Sequence, residues 1–214
     1  MHVAPVTLLG KTVRLEPLAI SHVPALCEVG LDAELWRWIP TLVSTPDEMR
    51  AYVEEALEQR RRGVSEPFAI VDQATDKVIG STRYCAIEAV HHRLEIGWTW
   101  LATSHQRTKA NTEAKLLLLT HAFETLGANR VEIKTDALNE KSRKAIARIG
   151  ATQEGIFRQH MIVPRSGRIR DTVYFSIIRS EWPEVKAKLA QRLEDRASGP
   201  SGTTRTYSSC TTPT

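Results

Sequence analysis

Residues 94–119 read LEIGWTWLATSHQRTKANTEAKLLLL, and two periods meet inside that stretch. Over residues 94–101 Leu94 and Ile96 alternate with Glu95 and Gly97, which predicts a strand. Further on, Leu116, Leu119, Ala122, Phe123 and Leu126 recur at helical spacing, and Gly127 suits a helix stop. A polar loop, residues 106–111, joins the two. The next strand, residues 130–135, alternates Val131 and Ile133 with polar residues. A helix between two strands predicts one parallel crossover within a mixed sheet.

Upstream, residues 11–18 alternate Val13 and Leu15 with polar residues and read as a first strand. A short helix follows over residues 23–29. Thr45 and Pro46 suit the N-cap and first position of a second helix that ends by Gly63. Strands over residues 68–71, 78–87 and 94–101 have short links, which favours an antiparallel meander. Downstream, Asn139 suits the cap of another helix, whose Ser142, Ala145, Ile146 and Ile149 share a face and which stops at Gly150. Strands over residues 155–163 and 172–178 flank Pro164-Arg165-Ser166-Gly167 and predict a hairpin. The order is therefore a strand, two helices, three strands, helix, strand, helix and hairpin.

The 214-residue chain suits one sizeable core, with 42% hydrophobic and 25% charged residues. The expected division is an arm over residues 1–10, one domain over 11–195 and a Ser/Thr-rich tail over 196–214. From Ser198 onward the tail is too poor in large apolar residues to offset its ordering entropy, and disorder is expected. No apolar run approaches the ~20 residues that span a bilayer. Residues 1–5 lack a basic segment followed by an apolar one, so a cytoplasmic location without membrane association is expected. Cys27, Cys85 and Cys210 form neither a disulfide framework nor metal-ligand spacing, and the His91-His92 pair lacks a third ligand, so no metal is expected. The net charge of +4 is dispersed. The one tight basic run, Arg60-Arg61-Arg62, sits where a helix end favours cations, which argues against a nucleic-acid partner.

The order of elements, together with Glu95-Ile96-Gly97-Trp98, Asn111-Thr112-Glu113-Ala114-Lys115, residues 135–142, Gly150-Ala151, residues 154–158 and Arg170-Asp171, resembles the GNAT superfamily of acyl-CoA-dependent N-acetyltransferases. Within it, the chain looks nearest the ribosomal-protein N-terminal acetyltransferases. The resemblance spans residues 12–182. It implies an α/β fold with a splayed, mostly antiparallel seven-stranded sheet and about four helices. It implies acetyl-CoA as co-substrate, its pantetheine arm running along the strand at 94–101 and its pyrophosphate on the helix that starts near Asn111, where unpaired N–H groups and the dipole favour an anion.

One piece departs from the pattern. Lys109 and Asn111 stand in Gln106-Arg107-Thr108-Lys109-Ala110-Asn111 where the family places small residues. The expectation is a reshaped cradle in which Arg107 or Lys109 supplies charge, with Asn111 capping the helix or taking the left-handed backbone that Gly would take. Thr112 completes the expected cradle.

Acyl transfer to an amine needs a proton acceptor, a donor for the carbonyl oxygen and an acid for the thiolate. Glu95 is the candidate base, acting through water; its structural alternative is a strand glutamate paired with Arg93 or Arg83. Ser142 is the candidate acid, with Tyr174 as the alternative. The resemblance implies that Asn139 also holds the pantetheine or a water. Backbone groups of Trp98, Thr99 and Trp100 are the candidate carbonyl and pantetheine contacts. Trp36 and Trp38 either roof the acceptor or pack between helices, and Asp136 either attracts a cationic amine or anchors a turn.

The function expected is transfer of acetyl to a primary amine by direct attack in a ternary complex. The acceptor is either a protein N-terminus or a small-molecule amine, aminoglycoside-type antibiotics included; a homodimer is the family-based expectation. The competing class is a non-catalytic acyl-CoA sensor, which the altered loop permits.

Overall fold

The computed structural model describes residues 1–164 and 166–195. The tail expectation and Cys210 lie outside the described residues. Eight strands form one sheet: β1 (Leu8–Leu9), β2 (Val13–Pro17), β3 (Ser65–Asp72), β4 (Val78–Glu88), β5 (Arg93–Leu101), β6 (Arg130–Asp136), β7 (Thr152–Ile162) and β8 (Ile169–Ile178). Their order across the sheet is β1-β2-β3-β4-β5-β6-β8-β7. Every neighbouring pair is antiparallel except β5 and β6. That parallel pair is the expected crossover.

Five helices cover the sheet: α1 (Val23–Gly30), α2 (Pro46–Arg61), α3 (Ala110–Thr120), α4 (Glu140–Arg148) and α5 (Trp182–Asp195). Strand alternation separates two cores. Phe68, Ile70, Leu94, Ile96, Val131 and Ile133 pack with residues of α3, α4 and α5. Ala69 and Trp100 pack with Leu26 of α1 and Met49 and Val53 of α2.

The mostly antiparallel, splayed α/β architecture matches the expectation, with two corrections. Seven strands become eight, because Leu8–Leu9 pairs with β2 inside the expected arm. Four helices become five, because residues after the hairpin form α5. Its Trp182, Val185 and Leu189 are buried at helical spacing, and the Trp182 ring stacks on Phe123 at 5.3 Å.

Glu113 ties the crossover helix to the other end of the sheet. Its carboxylate is buried and accepts backbone N–H bonds from Lys11, Thr12 and Val13 at 2.9, 2.6 and 2.7 Å. Those three donors precede or open β2, so one side chain fixes both the start of the strand and the placement of α3.

Candidate active site

β5 and β6 pair only at their beginnings, through Arg93↔Arg130, Leu94↔Val131 and Glu95↔Glu132. Beyond Glu95 the strands diverge while β5 runs on to Leu101 and β6 to Asp136. The cause is local. Trp98 has φ +53°, and the β4–β5 register moves from Arg83↔Gly97 to Ser81↔Trp100, so β5 carries one extra residue. A bulge of this kind bends its strand and sharpens the twist. The second half of β5 is thereby presented to the wedge as a strand edge, which suits an extended, amide-bearing ligand.

Two helix tips flank the wedge. In the loop before α3, the Gln106 amide donates to the Leu101 carbonyl at 3.2 Å and accepts from Lys141 of α4 at 2.7 Å. Thr108 Oγ1 donates to the His105 carbonyl at 2.8 Å and accepts from Ala110 N–H at 3.2 Å. The left-handed residue is Arg107, at φ +64°, and the N-cap is Lys109. This corrects the expectation for Asn111: it lies inside the first turn of α3, beside Thr112, and neither caps the helix nor takes the glycine-like backbone. The Thr108 hydroxyl does the capping work, which frees Asn111 from it. On α4 the expectation holds geometrically, with Asn139 Oδ1 accepting from Ser142 N–H at 3.0 Å. That bond uses the backbone of Ser142 and leaves its hydroxyl out of the cap.

Glu95 stands at the apex of the wedge, on the face roofed by α1 and α2. Its partner is neither Arg93 nor Arg83 but Lys134, whose Nζ lies 2.9 Å from Glu95 Oε2 and 3.4 Å from Glu132 Oε2. Burial opposes the Lys134 charge, yet Glu95, Tyr174 and Glu132 together offset this and raise its pKa. Lys134 also sits 4.5 Å above the Tyr174 ring. The Tyr174 hydroxyl lies 3.4 Å from His160 Nε2, and its ring stacks on Phe157 at 4.1 Å. The structure thus brings Glu95 and Tyr174 together through Lys134. The signal for Lys134 was present: a central strand in which Glu132, Lys134 and Asp136 alternate with Val131, Ile133 and Thr135 has one fully charged face.

The two tryptophans separate. Trp36 is buried, donates its indole N–H to the Gly30 carbonyl at 2.7 Å and packs on Tyr52 and Trp100. Trp38 borders the polar face: its carbonyl accepts from Arg170 at 3.5 Å, and the Arg168 guanidinium lies 5.8 Å from its ring. Asp136 is buried, accepts from Leu138 N–H at 2.9 Å and pairs with Arg168 and Arg170. It anchors the turn after β6, and its charge is already matched.

Two buried cations escaped the reading of the sequence. Lys115 Nζ donates to Thr99 Oγ1 at 2.8 Å, and Thr99 in turn shares a 2.7 Å hydroxyl bond with Thr82. Burial pushes the Lys115 pKa down to about 8. Arg83 is also buried, with its guanidinium 4.5 Å from the Tyr52 ring and 4.7 Å from the Trp98 ring. Among the described residues no group of three or more His, Cys, Asp or Glu is placed to hold a metal ion, and no helix is long and apolar enough to cross a membrane.

A splayed sheet with one parallel pair, a bulged strand at the split and two helix tips across the opening define the acetyltransferase fold. A model of the acetyltransferase (GNAT) domain matches residues 12–152, and the chain belongs to that family of N-acetyltransferases. It is 25% identical over 177 residues to the uncharacterized N-acetyltransferase p20 of Bacillus licheniformis, covering 82% of this chain and 98% of that one. A GCN5-related N-acetyltransferase from Brucella melitensis superposes with a TM-score of 0.83 at 32% identity, over 89% of this chain and 86% of that one. The Salmonella typhimurium acetyl transferase that modifies the N-terminal serine of ribosomal protein L7/L12 superposes at 0.72. Its likeness, 24% identity over 81% of this chain and 99% of that one, is one of fold.

Proposed function

We propose that this acetyltransferase moves the acetyl group of acetyl-CoA to a primary amine by direct attack in a ternary complex. The observation that carries the reading is the wedge: a bulged strand edge, with Glu95 at its apex and the tips of α3 and α4 at its mouth. The residues present fit the co-substrate. Backbone groups of Trp98, Thr99 and Trp100 suit the pantetheine and the carbonyl oxygen. Residues 106–112 suit the pyrophosphate, with Lys109 at the N-cap and Arg107 beside it supplying the charge that glycines do not. Asn139 suits a pantetheine contact from the far side.

Glu95 takes the amine proton through water in this reading. Its carboxylate is engaged by Lys134, so the amine must displace or share Lys134. Ser142 and Tyr174 remain the two candidates for protonating the leaving thiolate. Lys134 above the Tyr174 ring favours Tyr174 as the group able to bear a transient negative charge.

The acceptor we propose is a protein N-terminus. The fold shared with an enzyme of that type supports this. A stacked sugar is disfavoured, because Trp36 is committed to the core and only Trp38 borders the site.

The test follows thiol release from acetyl-CoA with peptides, aminoglycosides, polyamines and amino acids. Release with a peptide amine is expected. No release with any acceptor, together with no heat of CoA binding, would overturn the reading in favour of neither transferase nor sensor. CoA binding without turnover would leave the sensor. Glu95→Gln is expected to lower kcat by about 10²-fold or more with little change in CoA affinity. An unaltered pH–rate profile in that variant would remove Glu95 as base.

A further inference from the structure

The cluster beneath α2 contains a charge that the protein does not neutralise. Arg83 of β4 is 1% exposed, and among the described residues no carboxylate lies within ion-pair distance and no hydrogen bond reaches its guanidinium. Its contacts are the faces of Tyr52 and Trp98. Cation–π contacts stabilise a buried cation by less than its desolvation costs, so the clamp alone does not account for the charge. Two further donors in the same aromatic cluster, Tyr52 Oη and Trp100 Nε1, are also buried without a hydrogen-bond partner. Buried donors are normally satisfied, and a buried unpaired charge is the exception that points to a ligand.

Position gives the exception its meaning. Tyr52 belongs to α2, the roof, and Trp98 is the bulge residue of β5. The guanidinium therefore lies at the seam between the roof and the point where acetyl transfer is proposed. The neighbouring cations are matched: Lys134 by Glu95 and Glu132, and Arg168 and Arg170 by Asp136. Lys115 has the Thr99 hydroxyl as a partner, whereas among the described residues Arg83 has neither a carboxylate nor a hydroxyl.

We infer that Arg83 binds a carboxylate of the acceptor, so that the preferred substrate is an amine carrying a carboxylate close to it. Two sources share this chemistry: a free amino acid, and a peptide whose first residues include an acidic side chain. The inference rests on the acetyl-transfer reading; the peptide source keeps a protein N-terminus as the acceptor, and the amino-acid source replaces it.

Matched pairs separate the possibilities. In one arm, the dipeptide amide Ser-Asp-NH2 is compared with Ser-Asn-NH2. In the other, free serine and glutamate are compared with their α-carboxamides. Thiol release is measured with wild type, Arg83→Gln and Arg83→Lys. In at least one arm the carboxylate member is expected to exceed its partner about tenfold or more in kcat/KM. The ratio is expected to collapse toward one in Arg83→Gln and to be partly retained in Arg83→Lys. The arm that shows the preference identifies the source. Equal rates within both arms for wild type overturn the inference while leaving acetyl transfer intact; a preference that persists in Arg83→Gln does the same. Absence of release from every amine overturns both. Should Arg83→Gln melt below the assay temperature, the wild-type ratios and Arg83→Lys still decide.

Discussion

Single residues carry charge into this fold in two ways, and the difference is testable. Glu113 is buried but accepts three backbone bonds. Glu66 is buried with Oε1 unbonded and Arg60 no nearer than 3.7 Å. Burial, only partly opposed by Arg60, pushes the Glu66 pKa up to about 7. Its folded pKa thus lies above the unfolded value, so its contribution to stability is fully present below about pH 4.5 and is lost as pH rises through about 7. Glu66→Gln is expected to remove that loss. In thermal melts, the Tm of the variant relative to wild type should increase between pH 5 and pH 8. A constant difference across that range would show that Glu66 ionises freely in the fold. The sequence announces neither glutamate's state, because burial and partners are tertiary properties.

At the scale of elements, caps were legible and packing was not. Thr45 and Asn139 cap α2 and α4 through Glu48 N–H and Ser142 N–H, as their residue types require. The start of α3 moved to Ala110 because Thr108, two residues upstream, supplies the capping oxygen. Helix α5 went unread, although Trp182, Val185 and Leu189 have helical spacing. Its apolar face becomes a reason for a helix only when α3 and the π-helical segment His121–Thr125 that continues it lie beneath it. The Trp182 indole also donates to Glu124 at 2.7 Å. Trp182→Ala should therefore cost about 3–5 kcal/mol in urea denaturation. A loss below about 1 kcal/mol would mean that α5 docks without being needed for the core.

For the whole molecule, the contact between Gln106 and Lys141 joins the loop before α3 to the tip of α4 across the wedge. On the proposed reading acetyl-CoA bridges both tips and is expected to raise Tm in proportion to the logarithm of its concentration. With Lys109 at the N-cap of α3, Lys109→Ala is expected to weaken acetyl-CoA binding about threefold to tenfold and to flatten its salt dependence. Binding of S-acetylpantetheine, which lacks the pyrophosphate, should be unchanged. Equal weakening of both ligands in calorimetry would place Lys109 away from the phosphates.

Seven of the eight strands and four of the five helices were legible in the sequence alone, because each is written in short-range periodicity and in caps within a few residues, and the family and the splayed sheet followed from the resemblance those residues carry. Only the tertiary structure decided which charges meet. It placed Lys134 on Glu95, committed Trp36 to the core and Asp136 to two arginines, and left Arg83 unmatched between two rings. Those outcomes depend on the register between strands far apart in the chain and on which face each residue takes.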